Sequence, residues 1–510
     1  MSDKLNYIST RGGSELLEAS EAIIQGLSNN GGLFVPTFIP KMDFTLEELL
    51  NFEYKELAFR VMSKFLTDFT EAELKACIEK AYDKKFETSE IAPLVIAADL
   101  AAAVPADVAF LELYHGPTLA FKDMALTILP HLLITSAKKQ NLNKEIVILT
   151  ATSGDTGKAA LEGFANIPGT SIIVFYPKEG VSEIQKRQMT TQEGSNTHVI
   201  GIEGNFDDAQ TGVKKLFSNK VLAEKLEENG KMFSSANSIN IGRLVPQIVY
   251  YFHAYKEAVK QGFIKNSEIL NFTVPTGNFG NILAGYYAKQ MGLPVGKLIC
   301  ASNENNVLTD FIKTGKYDIN RTFKLTKSPS MDILVSSNLE RLLYHISNND
   351  SNEVSELMNS LSKTGIYEIS PLMKDNIHDF VGGYTTEAST VNAIKKLFIE
   401  TGYIMDTHTA VAYDVYQTLK SSLIESQKSV IISTASPYKF ALDVLVAIDP
   451  DSFEEIKDEK DVSKILTKLS EETKKEIPLS LRDLHVKAEL HSRICKVDEM
   501  QNIVETIVLG

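Results

Sequence analysis

The chain reads as an α/β protein of mostly parallel, twisted sheets flanked by helices, with a helical N-terminal domain in front. Three observations predict this. Strand-like and helix-like segments alternate from about residue 105 to 300, the pattern of strands joined by crossover helices. The first ninety-odd residues instead show the apolar spacing of amphipathic helices. The stretches densest in small and chemically useful residues each follow a strand candidate directly, where parallel sheets gather their ligands.

In chain order, segments 45–50, 54–66 and 70–84 combine one apolar and one charged face and predict helices. Pro93 and the alanine-rich run to Pro105 mark a boundary. Strands are predicted at 108–114, 145–149, 171–176, 198–202, 269–274 and 297–301, with a later one at 429–433. A helix beginning near Met124 should be kinked or interrupted at Pro130, which lacks an N–H to donate. Segment 241–255 has the spacing of an amphipathic helix. The polar runs 314–327 and 347–353 predict loops or insertions, and the charge-rich stretch 449–475 predicts a solvated helical face.

At 510 residues the chain can bury a large core and should hold two or three domains. Its 52 Lys+Arg against 66 Asp+Glu give a net charge of -14, which argues against nucleic acid or an anionic membrane as partner. An anionic ligand must then meet locally supplied positive charge. No apolar run is long enough to span a bilayer, and the first residues lack the apolar core of a signal peptide, so the cytosol is expected. Cys77, Cys300 and Cys495 are too few and scattered for a disulfide framework, and the nine histidines show no metal-ligand spacing. No metal site is expected.

The most informative stretch is His115-Gly116-Pro117-Thr118-Leu119-Ala120-Phe121-Lys122-Asp123, which sets Lys122 among apolar neighbours between a strand and a helix. A lysine there loses hydration and its pKa falls, which is what an amine nucleophile needs near neutral pH. Alone, a surface lysine paired with Asp123 would account for it. Two further loops, Thr150-Ala151-Thr152-Ser153-Gly154-Asp155-Thr156-Gly157 and Pro275-Thr276-Gly277-Asn278-Phe279-Gly280-Asn281, each join a strand to a helix start. Free backbone N–H groups and the helix dipole converge there and favour an anion, although each loop alone could be a tight turn. Neither is a nucleotide fingerprint: Ala159 stands where a magnesium-binding Ser or Thr belongs, and the second loop lacks the dinucleotide glycine spacing. Two such loops suggest two anionic groups.

These three runs, in this order and at these separations, resemble threonine synthase in its long bacterial and fungal form, within the tryptophan-synthase-β-like group of pyridoxal phosphate enzymes. The resemblance takes in Tyr7-Ile8-Ser9-Thr10-Arg11-Gly12, Ser238-Ile239-Asn240-Ile241-Gly242-Arg243, Thr407-His408-Thr409-Ala410 and Ser433-Thr434-Ala435. It implies residues 1–95 as the helical N-terminal domain, 96–125 with 235–510 as the large cofactor-binding domain, and 126–234 as a smaller α/β domain closing over substrate. It also implies conversion of O-phospho-L-homoserine and water to L-threonine and phosphate, the last step of threonine biosynthesis, with proton loss at Cα and Cβ, departure of phosphate from Cγ and addition of water at Cβ. A monomer or small homo-oligomer is expected.

The same resemblance implies roles. Lys122 would hold pyridoxal 5'-phosphate as a Schiff base and carry protons once freed. Gly277, Asn278, Phe279, Gly280 and Asn281 would cradle its phosphate, and Thr434 would meet the ring nitrogen. Asp155 would face the 3'-hydroxyl or the substrate carboxylate. Thr152, Ser153, Thr156, Asn237 and Arg243 would bind the substrate, with the Arg243 fork suited to a phosphate. The chain departs from the family at Ser436-Pro437-Tyr438-Lys439-Phe440, where His usually precedes the proline. Serine cannot be a base near pH 7, so any part played by that His is lost here. A phospho-amino-acid lyase or Ser/Thr dehydratase of the same fold would share Lys122 and both loops, and a non-catalytic phospho-ligand binding protein is the reading from another class.

Overall fold

The structure, a computed structural model, describes residues 4–13, 15–100, 107–152, 154–178, 181–423, 426, 428–452 and 461–510. At the N-terminus β1 (Tyr7–Ser9) and β2 (Phe34–Pro36) form an antiparallel pair. Helices follow at Leu46–Leu49, Tyr54–Met62 and Glu71–Ala81. Thr45 and Thr70 start the first and third of these through capping boxes with Glu48 and Glu73, so the opening amides are satisfied locally. Their apolar faces join the same buried cluster as Leu244 and Ile248 of the helix Ile241–Lys260. The N-terminal region is therefore built onto the main body and shares its core.

The remaining strands are β3 (Leu94–Ile96), β4 (Val108–Glu112), β5 (Glu145–Ala151), β6 (Thr170–Pro177), β7 (Thr197–Ile202), β8 (Lys231–Ser234), β9 (Leu270–Pro275), β10 (Val295–Ser302), β11 (Lys316–Asp318), β12 (Ile366–Glu368), β13 (Phe380–Tyr384), β14 (Ser429–Ser433) and β15 (Ile494–Cys495). Every strand expected from the sequence forms, with small differences at the ends, because such strands are buried on both faces and read as continuous apolar runs. The larger sheet has the order β13-β10-β9-β14-β4-β3, parallel except for β3, which runs antiparallel to β4. The smaller has the order β15-β7-β6-β5-β8 and is parallel throughout.

Several expectations need correction. β3 crosses the boundary placed after residue 95 and belongs to the larger sheet. Residues 494–510, counted with the large domain, cross to the smaller sheet: β15 pairs with β7, and helix Met500–Leu509 covers that sheet. Met500, Ile503, Val504 and Val508 are buried there, each stabilising by about 1.5–3 kcal/mol, which is enough to recruit a terminal helix. The polar runs 314–327 and 347–353 hold β11 and the start of helix Ser351–Thr364, whose Asp350 cap accepts the Asn352 and Glu353 amides. Their polarity reflects capping as well as looping. Helix Ile241–Lys260 is buried nearly all round, although its spacing predicted an exposed face. In the stretch 449–475, helix Val462–Thr473 buries Val462, Ile465, Leu466 and Leu469, while residues 453–460 lie outside the described part. The break at Pro130 is real: helix Asp123–Leu126 ends, and Leu129–Lys139 begins with the proline in its first turn.

Candidate active site

The C-terminal edges of the two sheets face each other, and the site lies between them. From the larger sheet β4 leads into the Lys122 loop, β9 into the glycine loop and β14 into Thr434. Ala120 bridges Ala435 and the Phe121 amide donates to the Thr434 carbonyl at 2.8 Å, so two of these loops are stitched together. From the smaller sheet β5 leads into Asp155, the first residue of helix Asp155–Phe164.

Lys122 opens helix Asp123–Leu126 with its side chain 11% exposed and Nζ 3.3 Å from Asp155 Oδ2 and 3.5 Å from Ser330 Oγ. Burial pulls its amine below the ordinary lysine range; Asp155 opposes the fall, and Lys439 and Arg243 add to it. Asp123 is not the lysine's partner. It accepts the Thr118 amide at 2.8 Å and the Thr118 hydroxyl at 2.5 Å, bracing the loop, and burial pushes its carboxyl up to about 6 despite those bonds. His115 pairs with Glu112 at 2.8 Å at the strand end.

Asp155 has partners on both oxygens. Oδ1 accepts from Lys439 Nζ at 3.0 Å and Gln185 Nε2 at 2.9 Å, while Oδ2 meets Lys122 and, at 3.3 Å, Ser330 Oγ. Burial alone would raise its pKa, but Lys439 and then Lys122 hold the carboxyl far below the usual range. Gly154 makes this possible: its φ is +139°, and a Cβ there would sit 2.6 Å from the Gln185 amide carbon.

The glycine loop is shaped by the segment around residues 328–338. A Cβ on Gly277 would lie 2.6 Å from the Ser330 carbonyl oxygen, so only glycine fits. Ser336 Oγ donates to the Gly277 carbonyl at 2.7 Å, and Asn338 Nδ2 to the Asn278 carbonyl at 2.8 Å. Phe279, at φ 63°, precedes helix Gly280–Met291 in the left-handed conformation, and its ring packs on Phe380. Asn281 Oδ1 accepts the hydroxyls of Tyr250 and Tyr251, both at 2.8 Å. These two donors fix the amide orientation and leave its buried Nδ2 without a partner, a donor available to an anion.

Arg243, on the first turn of helix Ile241–Lys260, is 3% exposed. Nη1 donates to the Ala236 carbonyl at 3.0 Å, Nε has no partner, and no carboxylate lies within ion-pair distance among the described residues. Burial lowers its pKa to about 10, so it stays charged near neutral pH. The Gln247 side chain joins the Arg243 carbonyl (2.6 Å) to the Tyr250 hydroxyl (3.1 Å), and Tyr250 reaches Asn281. The two suspected anion sites therefore share one buried network.

The remaining expected residues differ in what they contribute. Thr152 Oγ1 accepts the Gly154 and Gly157 amides at 3.0 and 2.8 Å, so its oxygen shapes the loop and only its O–H is left to donate. Thr156 and Asn237 are half-buried, and Ser153 lies outside the described residues. Thr434 is buried beside the lysine loop. Ser436 caps the short turn Pro437–Phe440 by accepting the Tyr438 amide, a structural use that explains a serine there. Lys158, one residue past the loop, is nearly buried and paired with Glu162 at 3.1 Å.

Sequence reasoning missed Lys439, Ser330, Gln185 and His408. Lys439 is wholly buried; its position between Tyr438 and Phe440 repeats the apolar setting that marked Lys122 and could have found it. Ser330 is held by its amide, which donates to His408 Nε2 at 3.2 Å, while His408 Nδ1 meets Asp406 at 2.6 Å. The imidazole thus positions a backbone near the lysine. Nothing local in the sequence separates Ser330 or Gln185 from surface polar residues.

Comparison with known proteins agrees with this geometry. Residues 6–82 match the family described as threonine synthase N terminus, and residues 88–435 match pyridoxal-phosphate dependent enzyme. The threonine synthase of Schizosaccharomyces pombe is 37% identical over 480 residues, covering 88% of this chain and 90% of that protein. Threonine synthase-like 1 of Pongo abelii is 40% identical over 466 residues, 88% of this chain but 61% of that protein; the chain thus spans about three-fifths of such relatives. The crystal structure of PLP-bound threonine synthase from Brucella melitensis superposes with a TM-score of 0.85 at 34% identity, covering 99% of this chain and 100% of that one. The chain belongs to the threonine synthase family of pyridoxal-phosphate dependent enzymes, and pyridoxal 5'-phosphate is its cofactor.

Proposed function

We propose that the protein is a threonine synthase, converting O-phospho-L-homoserine and water to L-threonine and phosphate. Arg243 carries this reading. A buried guanidinium with no acidic partner among the described residues is costly to maintain, and a phosphate dianion would offset that cost with paired, charge-assisted hydrogen bonds. Lys122, Lys439 and Arg243 outnumber Asp155, so the site is locally cationic in a chain of net charge -14. An amino acid without a phosphate ester would leave Arg243 unpaired.

The residues fit the cofactor. When bound, it supplies an electron sink for proton loss next to the amino-bearing carbon. Lys122, with its depressed pKa, would accept a proton from substrate Cα and return it, and is steered by Asp155 and Ser330. The amides of Gly277, Asn278, Phe279, Gly280 and Asn281, with Asn281 Nδ2, would hold the cofactor phosphate at a helix start. Thr434 would offer a neutral hydroxyl to the ring nitrogen, a partner that brings no negative charge to hold a proton there. Asp155 would face the 3'-hydroxyl or the substrate carboxylate, and Thr152, Ser153, Thr156, Asn237 and Arg243 would gather the substrate. The smaller sheet closes over the larger to assemble the two halves. A cytosolic monomer or small homo-oligomer acting on a free metabolite suits this reading, and no helix among the described residues is long and apolar enough to cross a membrane.

The test is product analysis with reconstituted protein and O-phospho-L-homoserine. Threonine and phosphate in equal amounts are expected. Formation of 2-oxobutyrate without threonine would instead assign an elimination enzyme of the same fold.

A further inference from the structure

We propose that Lys439 sets the protonation of Lys122 through the carboxylate the two lysines share, and thereby the pH range in which the Lys122 amine is free. The inference rests on the reading of Lys122 as the cofactor lysine only for its consequence in catalysis.

The geometry is that of a relay with two ends. Asp155 gives Oδ2 to Lys122 at 3.3 Å and Oδ1 to Lys439 at 3.0 Å. Lys439 has no exposed surface, and its other donors go to the Thr118 carbonyl at 2.8 Å and Gln188 Oε1 at 3.2 Å. Thr118 belongs to the lysine's own loop and Gln188 to the helix Glu183–Thr190 beside the smaller sheet, so the ammonium is anchored on both sides of the cleft. A merely structural ion pair would not need its carboxylate to touch a second lysine. Among the described residues, the charged groups that act most strongly on Lys122 are Asp155, Lys439 and Arg243: one anion and two cations. Lys439 therefore does two things. It repels the protonated form of Lys122 directly, and it takes up part of the Asp155 charge that would otherwise favour that form.

The signs follow. Removing the Lys439 charge frees Asp155 to attract the Lys122 proton and removes a repulsion, so proton affinity at that nitrogen rises. Removing the Asp155 charge leaves Lys122 facing two cations, and its proton affinity falls. A residue acting only through packing predicts no such opposition.

The experiment compares wild type with Lys439→Gln, Lys439→Arg and Asp155→Asn as full-length proteins, in two readouts. One is the pH titration of the visible absorbance of the reconstituted proteins. The other is the pH dependence of Lys122 labelling by 1-fluoro-2,4-dinitrobenzene in cofactor-free protein, quantified by peptide mass spectrometry. The midpoints should rise by about one pH unit or more in Lys439→Gln, stay near wild type in Lys439→Arg, and fall in Asp155→Asn. Should Lys439→Gln fail to fold, Lys439→Gln is added to Asp155→Asn and compared with Asp155→Asn alone, where loss of the ammonium should raise the midpoint. An unchanged midpoint in Lys439→Gln, or one moving in the same direction as in Asp155→Asn, overturns the proposal. The labelling arm uses neither substrate nor cofactor, so its failure leaves the proposed reaction standing, and failure to form threonine leaves the relay standing.

Discussion

Lys122 Nζ and Asp155 Oδ2 face each other at 3.3 Å across the junction of two sheets, one residue carried beyond β4 and the other beyond β5. Neither sheet contains the site alone. Lys122 brings a desolvated amine, Asp155 brings a carboxylate kept ionised by Lys439 and Lys122, and apposition of the strand ends brings them together.

Lys122→Ala should abolish turnover, with a loss on the order of 10³-fold or more, because proton transfer by a positioned base contributes about 10²–10⁴-fold by itself. Asp155 keeps Lys439 and Gln185, so the fold should survive. Steady-state rates and circular dichroism on the same preparation check this; turnover within about tenfold of wild type would remove Lys122 from its role.

Arg243→Gln should weaken substrate binding roughly tenfold to a hundredfold, the loss expected for hydrogen bonds to a charged group worth about 1.5–3 kcal/mol. The free protein should not be destabilised, since the charge removed is buried and unpaired. Thermal shift with and without inorganic phosphate separates the two effects: phosphate should stabilise wild type more than the variant.

Gly277→Ala should reduce cofactor affinity at least tenfold, because the new methyl meets the Ser330 carbonyl and must displace the backbone that borders both the glycine loop and Lys122. Titration with pyridoxal 5'-phosphate measures it. Wild-type affinity would mean that the segment around residue 330 yields freely.

Acid should destabilise the fold through its buried histidines. Burial holds His253 and His345 below the ordinary imidazole range, His345 at about 4. Their folded pKa values are depressed relative to the unfolded chain, so the unfolded state binds more protons and stability falls as pH drops below about 6.5. The buried Nδ1 of His253 has no partner to receive a proton's charge. Urea midpoints should fall between about pH 6.5 and 4, and His253→Asn should flatten that fall.

Much of the architecture was legible because strands buried on both faces leave unbroken apolar runs and capped helices leave Thr-x-x-Glu marks, as at Thr45 and Thr70. The three motif loops were legible for the same reason, each placed directly after such a run. Lys439 was harder to see. Its stretch drew notice for the serine at 436, yet the charge that meets Asp155 is three residues further on. Ser330 and Gln185 carry no local mark, since their importance lies wholly in what they touch.

The sequence by itself determined the strand set, the three loops, Lys122 as a lysine set among apolar neighbours and the family resemblance, because periodicity, turn chemistry and motif order are local properties of the chain. Only the tertiary structure decided that Asp155 carries two lysines, that Arg243 meets no acid among the described residues, that Asn281 offers a spare donor, and that the last seventeen residues, 494–510, return to the smaller sheet. Those outcomes depend on which buried charges and apolar faces meet across hundreds of residues. Desolvation and pairing act on such meetings, and no window of sequence contains them.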